Sequence, residues 1–173
     1  MLIASTAFAT SDFDETMAAA KQGSVIAQYN LGIMYENGKG VKENDAEAAK
    51  WFRKAAEQGD EHAQYNLGFM YSQGRGLPEN DAEAVKWYRK AANQGDAKAQ
   101  ANLAVMHFNG DGVPENNVRA YIWWSMAKTQ GLANAANAVD AKSIESSSIY
   151  LTRYPSYWSL SYYIDRLHIC NSE

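Results

Sequence analysis

The sequence predicts an all-α fold in which helix–turn–helix units stack into a solenoid. The segment AQYNLG at 27–32 recurs unchanged at 63–68, and a diverged copy, AQANLA, occupies 99–104, so the step is 36 residues each time. Glycines and tryptophans recur at the same step, in turns and in helices respectively. A fixed period of this length is typical of solenoids, because one helix pair cannot bury its apolar face alone and must stack on the next pair.

The repeat extends over about 36 residues per unit and covers three full units. Residues 27–58 and 63–94 are identical at 23 of 32 positions, whereas 99–130 matches them more loosely. The positions kept in all three units are Gly38, Gly74 and Gly110; Gly40, Gly76 and Gly112; Trp51, Trp87 and Trp123; and Gly59, Gly95 and Gly131.

The first helix of each unit, helix A, is predicted over Val25–Asn37 in unit one. Gly38 should end it, because glycine readily adopts the left-handed conformation of a helix C-terminus. Within the helix, Asn30 should hydrogen-bond between units and Gly32 should let a neighbouring helix backbone approach. The apolar residues at helical spacing, which should pack between the two helices of the unit, are Ala27, Leu31, Met34 and Tyr35.

The second helix, helix B, should begin after Asn44. The run 44–47 (NDAE) has the form of a capping box, in which the Asn44 and Glu47 side chains each accept a free backbone N–H, and it recurs at 80–83. Asp60 should cap the following helix A in the same way. The side chains predicted to face inward are Ala48, Trp51, Phe52, Ala55 and Ala56.

The predicted solenoid occupies residues 11–142. Its full repeats are expected at about 24–59, 60–95 and 96–131, with a lone helix B before them and a capping helix at 133–142. The divergent tail, 143–173, shows no trace of the repeat; a helix folded back near 156–167, a partner-binding segment and a shifted reading frame are alternative interpretations.

The composition is that of a folded protein, with 46% hydrophobic and 21% charged residues and a net charge of −4. This charge disfavours nucleic acid as a partner, and no apolar run is long enough to span a membrane. Residues 1–10 carry Ala7-Phe8-Ala9, the small-x-small form of a signal-peptidase site, but no basic n-region. We interpret them as the remnant of a signal peptide and expect an exported protein; a frayed N-terminus and a cytoplasmic location are the alternative.

Residues with catalytic chemistry show no arrangement that predicts an enzyme. The glycine pairs lack the strand and the Lys-Ser pair of a phosphate loop. His62, His107 and His168 share no ligand spacing, and Cys170 is the only cysteine, so no metal or cofactor is predicted. We expect His62 at the surface and His107 in the core, where it replaces the tyrosine of the earlier units.

The pattern A-x-x-x-L-G-x-x-Y-x-x-G-x-G-V, followed by D-x-x-x-A, W-[FY]-x-K-A-A and Q-G, resembles the Sel-1-like repeat family over residues 27–131. The resemblance implies a right-handed α-solenoid adaptor that binds a protein or peptide, with helix A on the concave face and helix B on the convex face. Many members are bacterial and exported. A cysteine-rich exported subgroup is linked to β-lactam chemistry, which makes a hydrolase or cell-wall enzyme the alternative function, but this chain lacks its cysteine pairs.

The concave groove is therefore the predicted binding site. A stripe of helix A beside the inward residues supplies its side chains, and exposed aromatic and aliphatic residues there would suit a docked protein segment. The alternative is that Tyr29 and Tyr65 only pack between units. The groove residues are Tyr29, Ile33, Glu36, Tyr65, Phe69, Ser72, Ala101, Val105 and Asn109.

Overall fold

A computed structural model of the protein describes residues 12–131. The predicted signal segment 1–10, capping helix 133–142 and tail 143–173 lie outside this range. The described part contains seven helices and no strand. They are α1 (Asp12–Lys21), α2 (Val25–Asn37), α3 (Asp45–Glu57), α4 (Glu61–Gln73), α5 (Asp81–Gln94), α6 (Ala97–Asn109) and α7 (Asn117–Thr129).

The helices form an α-solenoid, as predicted. Helix pairs with extensive contacts are all consecutive in the chain, from α1 with α2 to α6 with α7. Helices α2, α4 and α6 are the A helices of the three units, and α3, α5 and α7 are the B helices. Each unit thus contacts mainly its neighbours, which makes the stability of the fold a sum of unit and interface contributions.

The predicted helix ends are confirmed at both termini of helix A. The Asp60 side chain accepts the Ala63 N–H at 2.7 Å. At the other end, Gly38 has a φ of 68° and its N–H bonds to the Met34 carbonyl. Gly59, at the end of helix B, also has a positive φ, 101°. The turn residues therefore hold the backbone conformations for which glycine is suited.

The capping box of helix B is only half formed. Asn44 Oδ1 accepts the Glu47 N–H at 3.1 Å, as predicted. The predicted reciprocal bond, in which the Glu47 carboxylate accepts the Asn44 N–H, does not form. The Asn44 N–H donates to the Tyr35 carbonyl at 2.8 Å instead, and Glu47 pairs with Lys50. The end of helix A, brought close by the turn, supplies the acceptor that the capping box would otherwise provide.

The buried core runs across the boundaries between units: its two largest clusters join helix B of one unit to helix A of the next, α3 to α4 and α5 to α6. Leu31 and the predicted inward residues of α3 are buried. Gly32 has a different neighbour from the one predicted: a Cβ built there would lie 2.6 Å from the Phe52 ring. Glycine therefore makes room for an aromatic ring of its own unit, and not for the backbone of a neighbouring helix; Gly68 does the same for Tyr88.

A ladder of glutamines, alternately buried and exposed, joins consecutive units, and it was not predicted from the sequence. In its middle step, Gln64 Nε2 donates to the Ala56 carbonyl at 3.1 Å. Gln94 Nε2 in turn donates to Gln64 Oε1 at 2.8 Å and to the Gly59 carbonyl at 3.0 Å. The signal was available, because Gln28, Gln64 and Gln100, and likewise Gln58, Gln94 and Gln130, recur at the repeat spacing. These bonds satisfy polar groups that would otherwise be buried without partners.

Candidate protein-binding groove

The predicted groove residues lie along the A helices of three successive units. Tyr29, Ile33, Tyr65 and Phe69 are half-buried: each packs against a core cluster and keeps part of its side chain at the surface. Val105, in α6, is more open, with 42% of its surface exposed. The stripe is therefore a partly exposed edge of the core and not a row of free side chains.

The two tyrosines of the stripe connect adjacent units. The Tyr29 ring lies 5.8 Å from the Phe52 ring, and the Asn66 side chain of the next unit is a polar neighbour that acts to lower the Tyr29 pKa. The Tyr65 ring lies 5.9 Å from the Tyr88 ring, and Asn102 is the corresponding neighbour. Burial is the main cause that raises the pKa of both tyrosines. They pack between units, as the alternative interpretation held, while part of their surface remains exposed.

These neighbours occupy the repeat position for which an inter-unit role was predicted at Asn30. The Asn30 side chain itself is exposed. Its equivalents Asn66 and Asn102 contact the tyrosine of the preceding unit. The role needs the tyrosine of a preceding helix A, and within residues 12–131 the helix that precedes α2 is the short helix α1.

The polar members of the stripe have partners within the solenoid. In unit one, the Glu36 carboxylate lies 3.3 Å from Arg75 Nη1, and Arg75 Nη2 lies 2.8 Å from Asp45 Oδ1. This ion cluster joins the first two units across their boundary. Since Glu36 is engaged there, it is a poor candidate for a contact to a partner.

The same holds for the polar residue of unit two. The Ser72 hydroxyl donates to the Phe69 carbonyl at 3.0 Å and lies 3.3 Å from the Tyr88 hydroxyl. Burial raises the pKa of Tyr88 to about 12, so this hydroxyl stays protonated and available for hydrogen bonding at neutral pH. The available contacts of the stripe are consequently mostly apolar.

Unit three differs from the sequence-based set of groove residues. Asn109 Nδ2 donates to Asp111 Oδ2 at 3.0 Å within its own turn. The position equivalent to Glu36 and Ser72 at the 36-residue step is Phe108, not Asn109, and Phe108 is 38% exposed. Its ring lies 5.7 Å from Trp124. Strict use of the repeat spacing would have found Phe108 from the sequence.

The histidines occupy the places predicted for them. His62 is exposed, with Nδ1 3.8 Å from Asp96 Oδ2. His107 is 1% exposed, and burial lowers its pKa. It stands where Tyr71 stands in the preceding unit, so its role is to fill the core.

Among residues 12–131, no group of three or more His, Cys, Asp and Glu side chains could hold a metal ion. None of the helices described is both long and apolar enough to cross a bilayer.

The geometry of the units agrees with a known family. The sequence profile of the Sel1 repeat matches residues 25–60, 61–96 and 97–132, which together make up more than half of the chain. The chain belongs to the Sel1 repeat family. Proteins of this family typically mediate protein–protein interactions and are typically non-catalytic scaffolds.

Solved structures agree with this assignment. One similar structure is c5321, described as a protective antigen present in uropathogenic Escherichia coli strains and displaying an SLR fold. It is 44% identical, with a TM-score of 0.70 over 72% of this chain and 27% of its own. A Sel1 repeat protein from Oxalobacter formigenes is 40% identical, with a TM-score of 0.67 over 70% of this chain and 50% of its own.

A more distant structure shares the fold alone. Helicobacter pylori cysteine rich protein B is 21% identical, with a TM-score of 0.56 over 75% of this chain and 98% of its own. The chain thus spans about a quarter of the length of the E. coli protein and half of the O. formigenes protein. No curated protein matches the chain significantly.

Proposed function

We propose that this Sel1 repeat protein is a non-enzymatic scaffold that binds a segment of a partner protein along α2, α4 and α6. One observation carries the proposal: partly exposed aromatic and aliphatic side chains follow one another on the A helices of all three units. A contiguous apolar stripe on the surface of a folded protein is typical of an interaction site. The family assignment supports a protein as the partner.

The partner segment is expected to be mainly apolar on its contacting side. Glu36 and Ser72 already have partners inside the solenoid, which leaves the rings of Tyr65 and Phe69 and the side chain of Val105 for contact. Large apolar side chains at the centre of an interface carry most of the binding free energy. The central unit, with Tyr65 and Phe69 four residues apart on α4, is where a bound segment would be most fully desolvated.

The groove is tested by variants of Tyr65 and Phe69. The partner is first isolated by pull-down from the native source with mass spectrometry, and its affinity is then measured with purified proteins. The double variant Tyr65→Ala/Phe69→Ala is expected to weaken binding by about 30-fold or more, corresponding to about 2 kcal/mol for a central contact. Because both rings also pack on the core, Val105→Glu is added. Its side chain is already 42% exposed, so the charge should reduce binding with little loss of stability.

Leu67→Ala is the matched control, since Leu67 is fully buried and has no surface in the groove. It should lower the free energy of unfolding by about 2–5 kcal/mol and reduce binding only through the unfolded fraction. Circular dichroism melts of all variants separate the two effects. Unchanged affinity in both groove variants, with the fold intact, would contradict the proposal and move the binding site off the A helices.

We also propose that the protein is exported, on the basis of Ala7-Phe8-Ala9 in the sequence. The mature protein from native cells is then expected to begin at Thr10 and to be found outside the cytoplasm. N-terminal sequencing after cell fractionation measures both properties, and Ala9→Asp should block the cleavage. A cytoplasmic protein that retains residues 1–9 would rule out processing at this site.

A further inference from the structure

A cavity of about 420 Å³ opens between helix α5 and the turn that follows α6. Three cationic side chains of α5, Lys86, Arg89 and Lys90, line one side, and Val113 and Pro114 form an apolar wall. None of the described residues that line it is acidic. The cavity is built on a B helix, so it is separate from the groove on the A helices.

The preceding unit provides an internal comparison, because it carries the same basic residues on α3. There, Arg53 donates a hydrogen bond to the Tyr71 hydroxyl, and its guanidinium carbon lies 5.7 Å from the centre of that ring. Glu57 follows Arg53 by four residues, where a carboxylate lowers the local positive potential. In unit one, therefore, the arginine has a partner and an acid lies on the same helix face.

Both of these features are lost around Arg89. Asn93 replaces the acid, and His107 replaces the tyrosine. His107 is a buried ring whose low pKa keeps it uncharged, and the positive charge of Arg89 contributes to that lowering. Within residues 12–131 the Arg89 guanidinium and the Asn93 amide form no hydrogen bond or ion pair. Both side chains are exposed, so the cavity presents two donor groups that have no partner among the described residues.

The two lysines of the cavity differ in how far they are neutralised. Lys86 Nζ lies 3.2 Å from the Glu83 carboxylate, which offsets its charge. Lys90 Nζ lies 4.1 Å from the centre of the Trp87 ring, a contact that leaves the charge intact. The residues that line the cavity are accordingly net positive, with the charge concentrated at Arg89 and Lys90, while the acids Asp111 and Glu115 flank the lining segment of the turn in sequence.

We propose that this cavity binds an acidic segment of a partner protein through a side-chain carboxylate. The planar guanidinium of Arg89 can donate two parallel hydrogen bonds to a carboxylate, and Lys90 and the Asn93 amide lie on the same helix to add further donors. Val113 and Pro114 form an apolar surface against which the flanking residues of the segment pack. The inference concerns a second surface and does not depend on the groove.

The test uses a fluorescently labelled peptide of alternating aspartate and leucine, with the asparagine–leucine peptide as the uncharged probe. Fluorescence anisotropy at low salt should show that the wild-type protein binds the acidic peptide at least about tenfold more tightly. Arg89→Gln and Asn93→Glu should each weaken binding of the acidic peptide by about tenfold, since one removes the guanidinium and the other restores the acid of unit one.

Arg53→Gln is the matched control, because this arginine has the same position in unit one and is tied to Tyr71. It should change the affinity less than about twofold. Because the exposed Arg89 lies outside the groove, Arg89→Gln should leave the affinity for the groove partner unchanged, so failure of the groove and failure of the cavity are distinguishable. Equal losses for Arg53→Gln and Arg89→Gln, or equal affinity for the two peptides, would overturn the proposal.

Discussion

Replacing Gly76 with alanine is expected to destabilise the solenoid by about 3 kcal/mol or more, because the new methyl group would overlap backbone atoms of the preceding unit. A Cβ at Gly76 would lie 2.3 Å from both the carbonyl carbon and the oxygen of Asp45, and 2.7 Å from the Ala46 nitrogen. These atoms belong to the first turn of α3 and cannot rotate away. A φ of +67° adds backbone strain.

Gly59→Ala is the control for the strain alone. Gly59 also has a positive φ, +101°, but a Cβ there would meet nothing within 4 Å. Its cost should be about 1 kcal/mol, the value for alanine at a positive φ. Chemical denaturation of the two variants gives both free energies of unfolding. If Gly76→Ala lowers the free energy of unfolding no more than Gly59→Ala does, the two units do not approach as closely at Gly76 as described.

Truncating Trp87 to alanine is expected to cost about 3–5 kcal/mol, the range for large buried aromatic side chains. Trp87 is 5% exposed and packs in a core cluster with Phe52, Leu67 and Met70, so it joins the second unit to the first. The loss should therefore affect the interface between units as well as the unit itself. Urea melts followed by circular dichroism measure it, and a variant within about 1 kcal/mol of the wild type would contradict a core role.

Two milder variants separate packing from other contributions of Trp87. Its Nε1 has no hydrogen-bond partner among the described residues, so Trp87→Phe should lose volume but no hydrogen bond. Lys90 lies over the ring, and a cation–π contact at an exposed lysine contributes about 0.5–1 kcal/mol. Lys90→Ala should therefore change stability far less than Trp87→Ala. Equal losses for both would assign the effect to the charge and not to the buried ring.

The candidate groove could be located in the sequence only in outline. Helical spacing placed Tyr65 and Phe69 on one stripe of an A helix, but no pattern in the sequence distinguishes a side chain that faces a partner from one that faces the next unit. In the structure both rings pack against the core and keep part of their surface exposed. It also shows that Glu36 pairs with Arg75, a residue 39 positions away whose approach depends on the packing of two units.

The sequence by itself determined the helices, their ends and their order. A period of 36 residues, an Asn, Asp or Ser before each helix and a glycine after helix A are local signals, because a helix cap is made by residues close in the chain. Local chemistry of this kind can be derived from spacing. The same holds for the buried tryptophans of helix B, whose phase follows from the helical period.

Only the tertiary structure decided how the units meet. The Tyr35 carbonyl replaces the Glu47 side chain at the N-terminus of α3, Gly32 accommodates a ring of its own unit, and Gly76 admits a backbone of the preceding one. Each of these contacts depends on the distance between two segments that a turn brings together. The identity of a residue that recurs in every unit does not specify that distance. The free guanidinium of Arg89 is a further case: it depends on which side chain the next unit presents, tyrosine at position 71 or histidine at 107.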